Sequence, residues 1–249
     1  MNKEQKIKSY PAVRDMSDDQ RTDIVRDIFA SISDRYDFLN RFLSLRQDLL
    51  WRRRTIKEML FFKTRRFLDV ATGTGDLAID CAKLYPEVSV TGVDFVPEMI
   101  EHGIAKVTAA GVQDKVDLKL GDGTALEFDD SSFDVAAIAF GIRNIPDRKK
   151  ALLELQRVVV HHGMIMVLEL TTPEPGLWRS VYSFYLNRVL PKLAKMFVKN
   201  FSAYLYLADS IMDFPTRKEF ILLMESTGLK NCRAIPLTMG VCTLYIGEK

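Results

Sequence analysis

The stretch FLDVATGTGD, residues 67–76, decides the fold. Phe67, Leu68, Val70 and Ala71 make a short apolar run without helical spacing, as in a parallel strand buried on both faces. The run breaks at Gly73-Thr74-Gly75, after which Leu77, Ala78, Cys81 and Leu84 recur with helical period. About twenty residues on, VSVTGVDF (residues 88–95) is a second apolar run and carries Asp94. Strand, glycine turn, helix, strand and acid compose the βαβ half of a nucleotide-binding fold. The glycines let the backbone approach a ligand closely, and the acid can accept hydrogen bonds from a ribose.

The alternation continues downstream. Pro97 suits a first helical turn and Gly111 a helix stop. VDLKLGD (116–122) reads as the third strand, FDVAAIAFG (133–141) as the fourth and MIMVLEL (164–170) as the fifth. Between the last two, Leu152, Leu155, Val158 and Val159 mark one face of a helix. The pattern then breaks. Residues 171–214 carry Tyr182, Tyr185, Leu186 and Val189 at helical spacing, then Pro191 and the lysines Lys192, Lys195 and Lys199, and read as inserted lid helices. Two strand-like runs, NCRAIPLT and GVCTLYIG, close the chain as a hairpin at the sheet edge. Upstream, residues 1–16 are polar and aperiodic, a loose tail. Ser17 with Gln20 fits a capping box, and residues 17–60 form a helical cap. The whole is one domain, 1–249.

Composition bounds the function classes. The 249 residues, 47% hydrophobic and 27% charged, are those of a globular protein able to bury a core without covalent staples. A net charge of +2 gives no basis for nucleic-acid binding, and no appended RNA module is visible. Cys81, Cys232 and Cys242 have neither disulfide nor metal spacing, and His161-His162 lacks companion ligands, so no metal is expected. No signal peptide or membrane-length apolar run is present, which implies a cytoplasmic protein.

Two ligands compete for the glycine loop. Gly73, Gly75 and Ala78 with Asp94 satisfy the permissive dinucleotide pattern. S-adenosylmethionine (SAM) methyltransferases instead carry an acid in the strand before the loop and another after it, here Asp69 and Asp76. Asp122-Gly123, at the end of the third strand, can bond an adenine amine and leave room for its ring. Phe133-Asp134 and the terminal hairpin also belong to that pattern, and together they favour SAM. Gly73, Thr74 and Gly75 then meet its amino-acid portion, Asp94 its ribose, and Asp122 and Gly123 its adenine. Asp94 also suits a helix N-cap before Val96-Pro97.

The block YDFLNRFLSLRQDLLW, residues 36–51, resembles the signature of the menaquinone and ubiquinone biosynthesis C-methyltransferases. That signature is met by Tyr36-Asp37, Asn40, Ser44 and Trp51, and LDVATGTGD, FGIRN (140–144) and ELTTP extend the likeness along the chain. The resemblance implies a class I SAM-dependent methyltransferase: a Rossmann-like, mostly parallel seven-stranded sheet with an antiparallel C-terminal strand. It also implies methylation of a polyprenylated quinol ring carbon, demethylmenaquinol above all, with a ubiquinone-pathway benzoquinol as the alternative. An aromatic carbon is a poor nucleophile until a neighbouring hydroxyl ionises, so such a site needs a base or a cation beside the phenolate. Arg143 is the catalytic candidate, as oxyanion stabiliser or orienter of a proton-accepting water. Tyr36, Asp37, Asn40 and Asn144 are candidate substrate contacts, and the lid would take the prenyl tail, with its lysines against anionic lipid at the membrane's inner face. Three departures stand out. Asp48 replaces the family's usual His, Ala139 replaces a Ser that can contact SAM, and Val160-His161-His162-Gly163 replaces a Lys-Pro-Gly-Gly-like turn. Asp48 and Ala139 prompt the alternative of a SAM-binding protein without this chemistry. Oligomeric state is not legible.

Overall fold

The computed structural model describes residues 10–189 and 202–249. Seven strands form one sheet in the order β3-β2-β1-β4-β5-β7-β6. They are β1 (Arg66–Val70), β2 (Ser89–Asp94), β3 (Val116–Leu120), β4 (Phe133–Ala139), β5 (Val159–Leu170), β6 (Lys230–Leu237) and β7 (Cys242–Glu248). The first five pair in parallel, while β7 runs antiparallel to both β5 and β6. The expected sheet is present, antiparallel C-terminal strand included. Of the terminal hairpin only β6 is an edge, because β7 inserts between it and β5.

Alternation along β1 sends Phe67 to one face and Leu68 and Val70 to the other, so two cores form. The helices α4 (Asp76–Leu84) and α5 (Pro97–Ala109) cover the first, and α6 (Arg148–Val158) and a helix at Arg217–Ser226 cover the second. Pro97 stands in the first turn of α5, and Gly111, at φ +70°, follows its end. One buried acid does a backbone's work: the Asp134 carboxylate accepts N–H groups from Phe62, Lys63, Thr64 and Arg65 at 2.7–3.2 Å. Those donors belong to the link leading into β1, which Asp134 therefore positions. Strand β5 begins earlier than its apolar run, at Val159. Residues 160–163 are absorbed as an irregularity with His162 at φ +65°, so the expected turn lies within the strand.

Three helices precede the sheet: α1 (Asp18–Ile32), α2 (Tyr36–Leu43) and α3 (Gln47–Lys57). Ser17 and Gln20 cap α1 reciprocally. Part of the expected tail is anchored: Val13 is buried, and its N–H donates to Asp209 Oδ2 at 2.6 Å. After β5 come α7 (Leu177–Phe184), a π turn (Tyr185–Val189) and α8 (Ser202–Met212), whose Tyr182, Leu186 and Ile211 cluster with Leu39 of α2. Pro191 and the three lysines of the lid fall outside the described residues. The helix α9 (Arg217–Ser226) starts at a second capping box, Thr216 with Glu219.

Candidate active site

The C-terminal ends of the parallel strands converge where β1 lies between β2 and β4, the crevice in which open α/β sheets hold ligands. Ala71 after β1 and Phe140 after β4 both turn away at positive φ (53° and 60°). Non-glycine residues adopt that conformation at a cost of order 1–3 kcal/mol, which the surrounding structure must offset. Gly141 is obligatory beside them, because a Cβ there would come within 2.6 Å of the Ala71 Cβ.

A cavity of about 470 Å³ opens over these ends, with Gly73, Asp94, Asp122, Gly123 and Asn144 in its wall. Asp94 Oδ2 accepts the Gly73 N–H at 2.8 Å and Oδ1 the Val96 N–H at 3.0 Å. Each oxygen keeps a lone pair for a diol; the helix N-cap is Val96 and not Asp94, whose carboxylate bonds the N–H of that cap residue instead. Burial raises the Asp94 pKa to about 6, although its backbone donors oppose the shift. Asp122 is exposed and held by Thr124, which donates through its N–H (2.8 Å) and hydroxyl (3.0 Å). Gly123 could not carry a side chain, since a Cβ would sit 2.8 Å from Val70 Cγ1. Of the acids around the glycine loop, Asp94 lines this cavity, and the Gly73 N–H already serves it. A pyrophosphate would meet repulsion there, whereas a ligand with a cationic ammonium and sulfonium would not. The donor set fits SAM and not a dinucleotide.

Thr74 and Gly75 do not line that cavity. Thr74 is buried and its hydroxyl donates to Asp37 Oδ1 at 2.6 Å; Gly75, at φ +78°, turns the chain into α4. Asp37 is likewise absent from both large cavities. It pairs with Lys106, which also binds Asp76. Arg52 bridges Asp76 (3.1 Å) to buried Asp48 (2.7 Å), so one chain of charges ties α2 and α3 of the cap to the cofactor loop. Burial opposes ionisation of Asp76, yet Arg52 and Lys106 hold its pKa below the ordinary value.

A second cavity, about 280 Å³, lies under the cap and lid. Its wall is mainly apolar, with Ile28, Leu39, Tyr182 and Leu186 among its residues, and the polar exceptions include Tyr36, Asn40, Asp48 and Arg143. Phe29, Tyr36 and Phe140 belong to the walls of both cavities, so the two meet there. Arg143 is buried and donates from Nη1 to Glu169 Oε1 (2.7 Å) and to the Phe140 carbonyl (2.6 Å). Burial disfavours its charge, but Glu169 holds its pKa above the ordinary value. Its Nε–H is buried without a partner. Tyr36 has a raised pKa, chiefly from burial, against which Asn40, Arg52 and Arg143 act. Asn144, expected beside the substrate, lines the cofactor cavity instead, its Oδ1 accepting from Tyr206 at 3.2 Å.

Glu169, Tyr206, Phe140 and Lys106 were not among the candidates from sequence. Glu169 had a signal, a lone acid near the end of an otherwise apolar strand. Lys106 had none, being one of many helix lysines. No cluster of metal-ligating side chains occurs among the described residues.

A doubly wound sheet with an antiparallel seventh strand, and a carboxylate-lined cofactor cavity at its switch point, define a SAM-dependent methyltransferase. Solved structures share this fold: a SAM-dependent methyltransferase from Thermotoga maritima (TM-score 0.62, 19% identity, covering 90% of this chain and 99% of that one) and one from Aquifex aeolicus (TM-score 0.58, 17% identity, 79% and 88%). The chain belongs to the ubiE/COQ5 methyltransferase family, whose profile matches residues 14–249. It is 45% identical to the ubiquinone/menaquinone biosynthesis C-methyltransferase UbiE of Citrifermentans bemidjiense, over 90% of this chain and 96% of that one. It is 41% identical to the demethylmenaquinone methyltransferase of Thermus thermophilus, over 89% and 100%.

Proposed function

We propose that this methyltransferase transfers the methyl group of SAM to a ring carbon of a polyprenylated quinol, demethylmenaquinol in menaquinone biosynthesis. One observation carries the reading. An apolar cavity that meets the cofactor cavity has in its wall Arg143, whose buried Nε–H is unpartnered, and Asn40, whose side-chain amide lies beside Tyr36. An unmade buried hydrogen bond costs about 1–3 kcal/mol, so such a donor calls for a ligand with acceptor oxygens on an apolar body. A quinol ring has both. Arg143 stabilises the developing phenolate, Asn40 and Tyr36 hold the ring, and Asp94, Asp122 and Gly123 hold SAM. A benzoquinol of the ubiquinone pathway remains the second reading, supported by relatives named for both pathways.

The prenyl tail leaves along the lid. The inner face of α7 and its π turn gives Tyr182, Tyr185 and Leu186 to the acceptor cavity, while Leu177, Val181 and Phe184 are exposed on the other side. Residues 175–208 contain Arg179, Arg188, Lys192, Lys195 and Lys199 and no acid. This composition suits peripheral contact with an anionic bilayer from the cytoplasmic side. No helix among the described residues is long and apolar enough to cross a membrane.

Incubation with SAM and reduced short-chain demethylmenaquinol, in parallel with the matching benzoquinol, tests the reading. A ring-methylated naphthoquinol is expected, with the Arg143→Ala variant at least about tenfold slower and its SAM affinity retained. SAM binding without product from either quinol would leave a SAM-binding protein of another kind.

A further inference from the structure

Arg143 cannot take a proton at neutral pH, so the proposed reaction lacks a base, and this inference rests on that reading. Among the described residues in the acceptor-cavity wall, Asp48 is the only carboxylate. It is 2% exposed, and Ser44, in the same wall, donates its hydroxyl to Asp48 Oδ1 at 2.7 Å. Asp48 Oδ2 accepts from Arg52 Nη1 at 2.7 Å. Arg52 is shared with Asp76 at 3.1 Å, so its charge is not reserved for Asp48 and still has a partner once Asp48 is neutral.

We propose that Asp48 is the proton acceptor for the quinol hydroxyl, reached through Ser44. The quinol O–H proton passes to Ser44 Oγ as the Ser44 proton moves to Asp48 Oδ1, leaving a phenolate beside Arg143. The phenolate's electron pair forms the ring carbon–methyl bond. The methyl–sulfur bond breaks onto sulfur, giving a neutral thioether and a ring ketone. The ring C–H proton leaves to water, its electron pair restores aromaticity, and Asp48 returns its proton to the oxygen through Ser44. Net, the cationic donor and the quinol give thioether, methylquinol and one solvated proton. Asp48 thus occupies the family's usual His position without abolishing proton transfer there.

The charged and titratable groups around it are Arg52 on its own helix, Asp76 on α4, Arg143 across the cavity, Tyr36 from α2, and Tyr182, Tyr185 and Tyr206 from the lid. None but Asp48 is a carboxylate in the cavity wall.

The test compares wild type, Asp48→Asn, Asp48→His and Ser44→Ala with reduced short-chain demethylmenaquinol. Asp48→Asn is expected to lower kcat about 10²- to 10⁴-fold at pH 7, with SAM affinity unchanged. Its rate should climb with pH toward the quinol's own ionisation, and its deficit should shrink for a ring-halogenated quinol whose hydroxyl is already ionised. Asp48→His should recover activity above about pH 6.5. Ser44→Ala leaves the Asp48–Arg52 pair intact and decides the matter if Asp48→Asn fails to fold: a kcat loss that shrinks on the halogenated quinol supports the relay. Wild-type kcat in either variant, or a deficit independent of acceptor acidity, overturns the inference. Absence of methylation by wild type would instead sink the proposed function.

Discussion

In the proposed function, one side chain, Asp94, serves packing and binding together. Its carboxylate braces Gly73 and Val96, and the same burial that makes those bonds strong raises its pKa to about 6. The folded value lies above the ordinary 3.8, so this group's stabilising contribution is complete below pH 3.8 and is lost as pH rises through about 6. Binding has the opposite sign, because only the ionised acid accepts both ribose hydroxyls. SAM affinity measured by calorimetry should therefore fall as pH drops below about 6. Asp94→Ala should bind at least about tenfold more weakly at pH 7; unchanged affinity would remove Asp94 from the site. Asp94 and Asp122 stand out in sequence because an acid at a strand end is local information, and the structure puts both in the wall of one cavity. The Asp37–Lys106 pair was not legible, since the two lie 69 residues apart and nothing in the chain's periodicity links them, whereas Asp48 and Arg52 stand one helical turn apart on α3.

At the scale of elements, the strands followed from short apolar runs and the helices from period, except that Val159, read on a helix face, begins β5, and the capping box at Ser17 fixed one helix start. What sequence missed were irregularities imposed by tertiary contact. β5 absorbs residues 160–163, and the segment around Val13 docks onto Asp209 of α8. Asp134 is the strongest element-level constraint, four backbone N–H groups converging on one buried carboxylate. Asp134→Ala should orphan them and cost about 2 kcal/mol or more of unfolding free energy, read by urea denaturation. A change below about 0.5 kcal/mol would show that water replaces the carboxylate without penalty.

Over the whole molecule, cap, lid and sheet enclose two cavities that share Phe29, Tyr36 and Phe140. The sheet and the cofactor end were readable from motifs. The acceptor cavity was legible only as a block of aromatics and polar residues, because its walls come from α1, α2, α3 and the lid, elements distant in sequence. Its outer surface makes a separate prediction: sedimentation with anionic vesicles should exceed that with zwitterionic ones, and Leu177→Ser with Phe184→Ser should reduce it several-fold. Equal sedimentation with both vesicle types would remove the bilayer from the account.

The proposed function requires the methyl group to cross directly from the cofactor cavity to a ring carbon held in the acceptor cavity. Single-turnover reaction with SAM carrying a deuterated methyl group, followed by NMR of the product, tests it most directly. An intact deuterated methyl on the quinol ring carbon is the expected product. A methyl on a quinol oxygen, or none on the quinol, would contradict it.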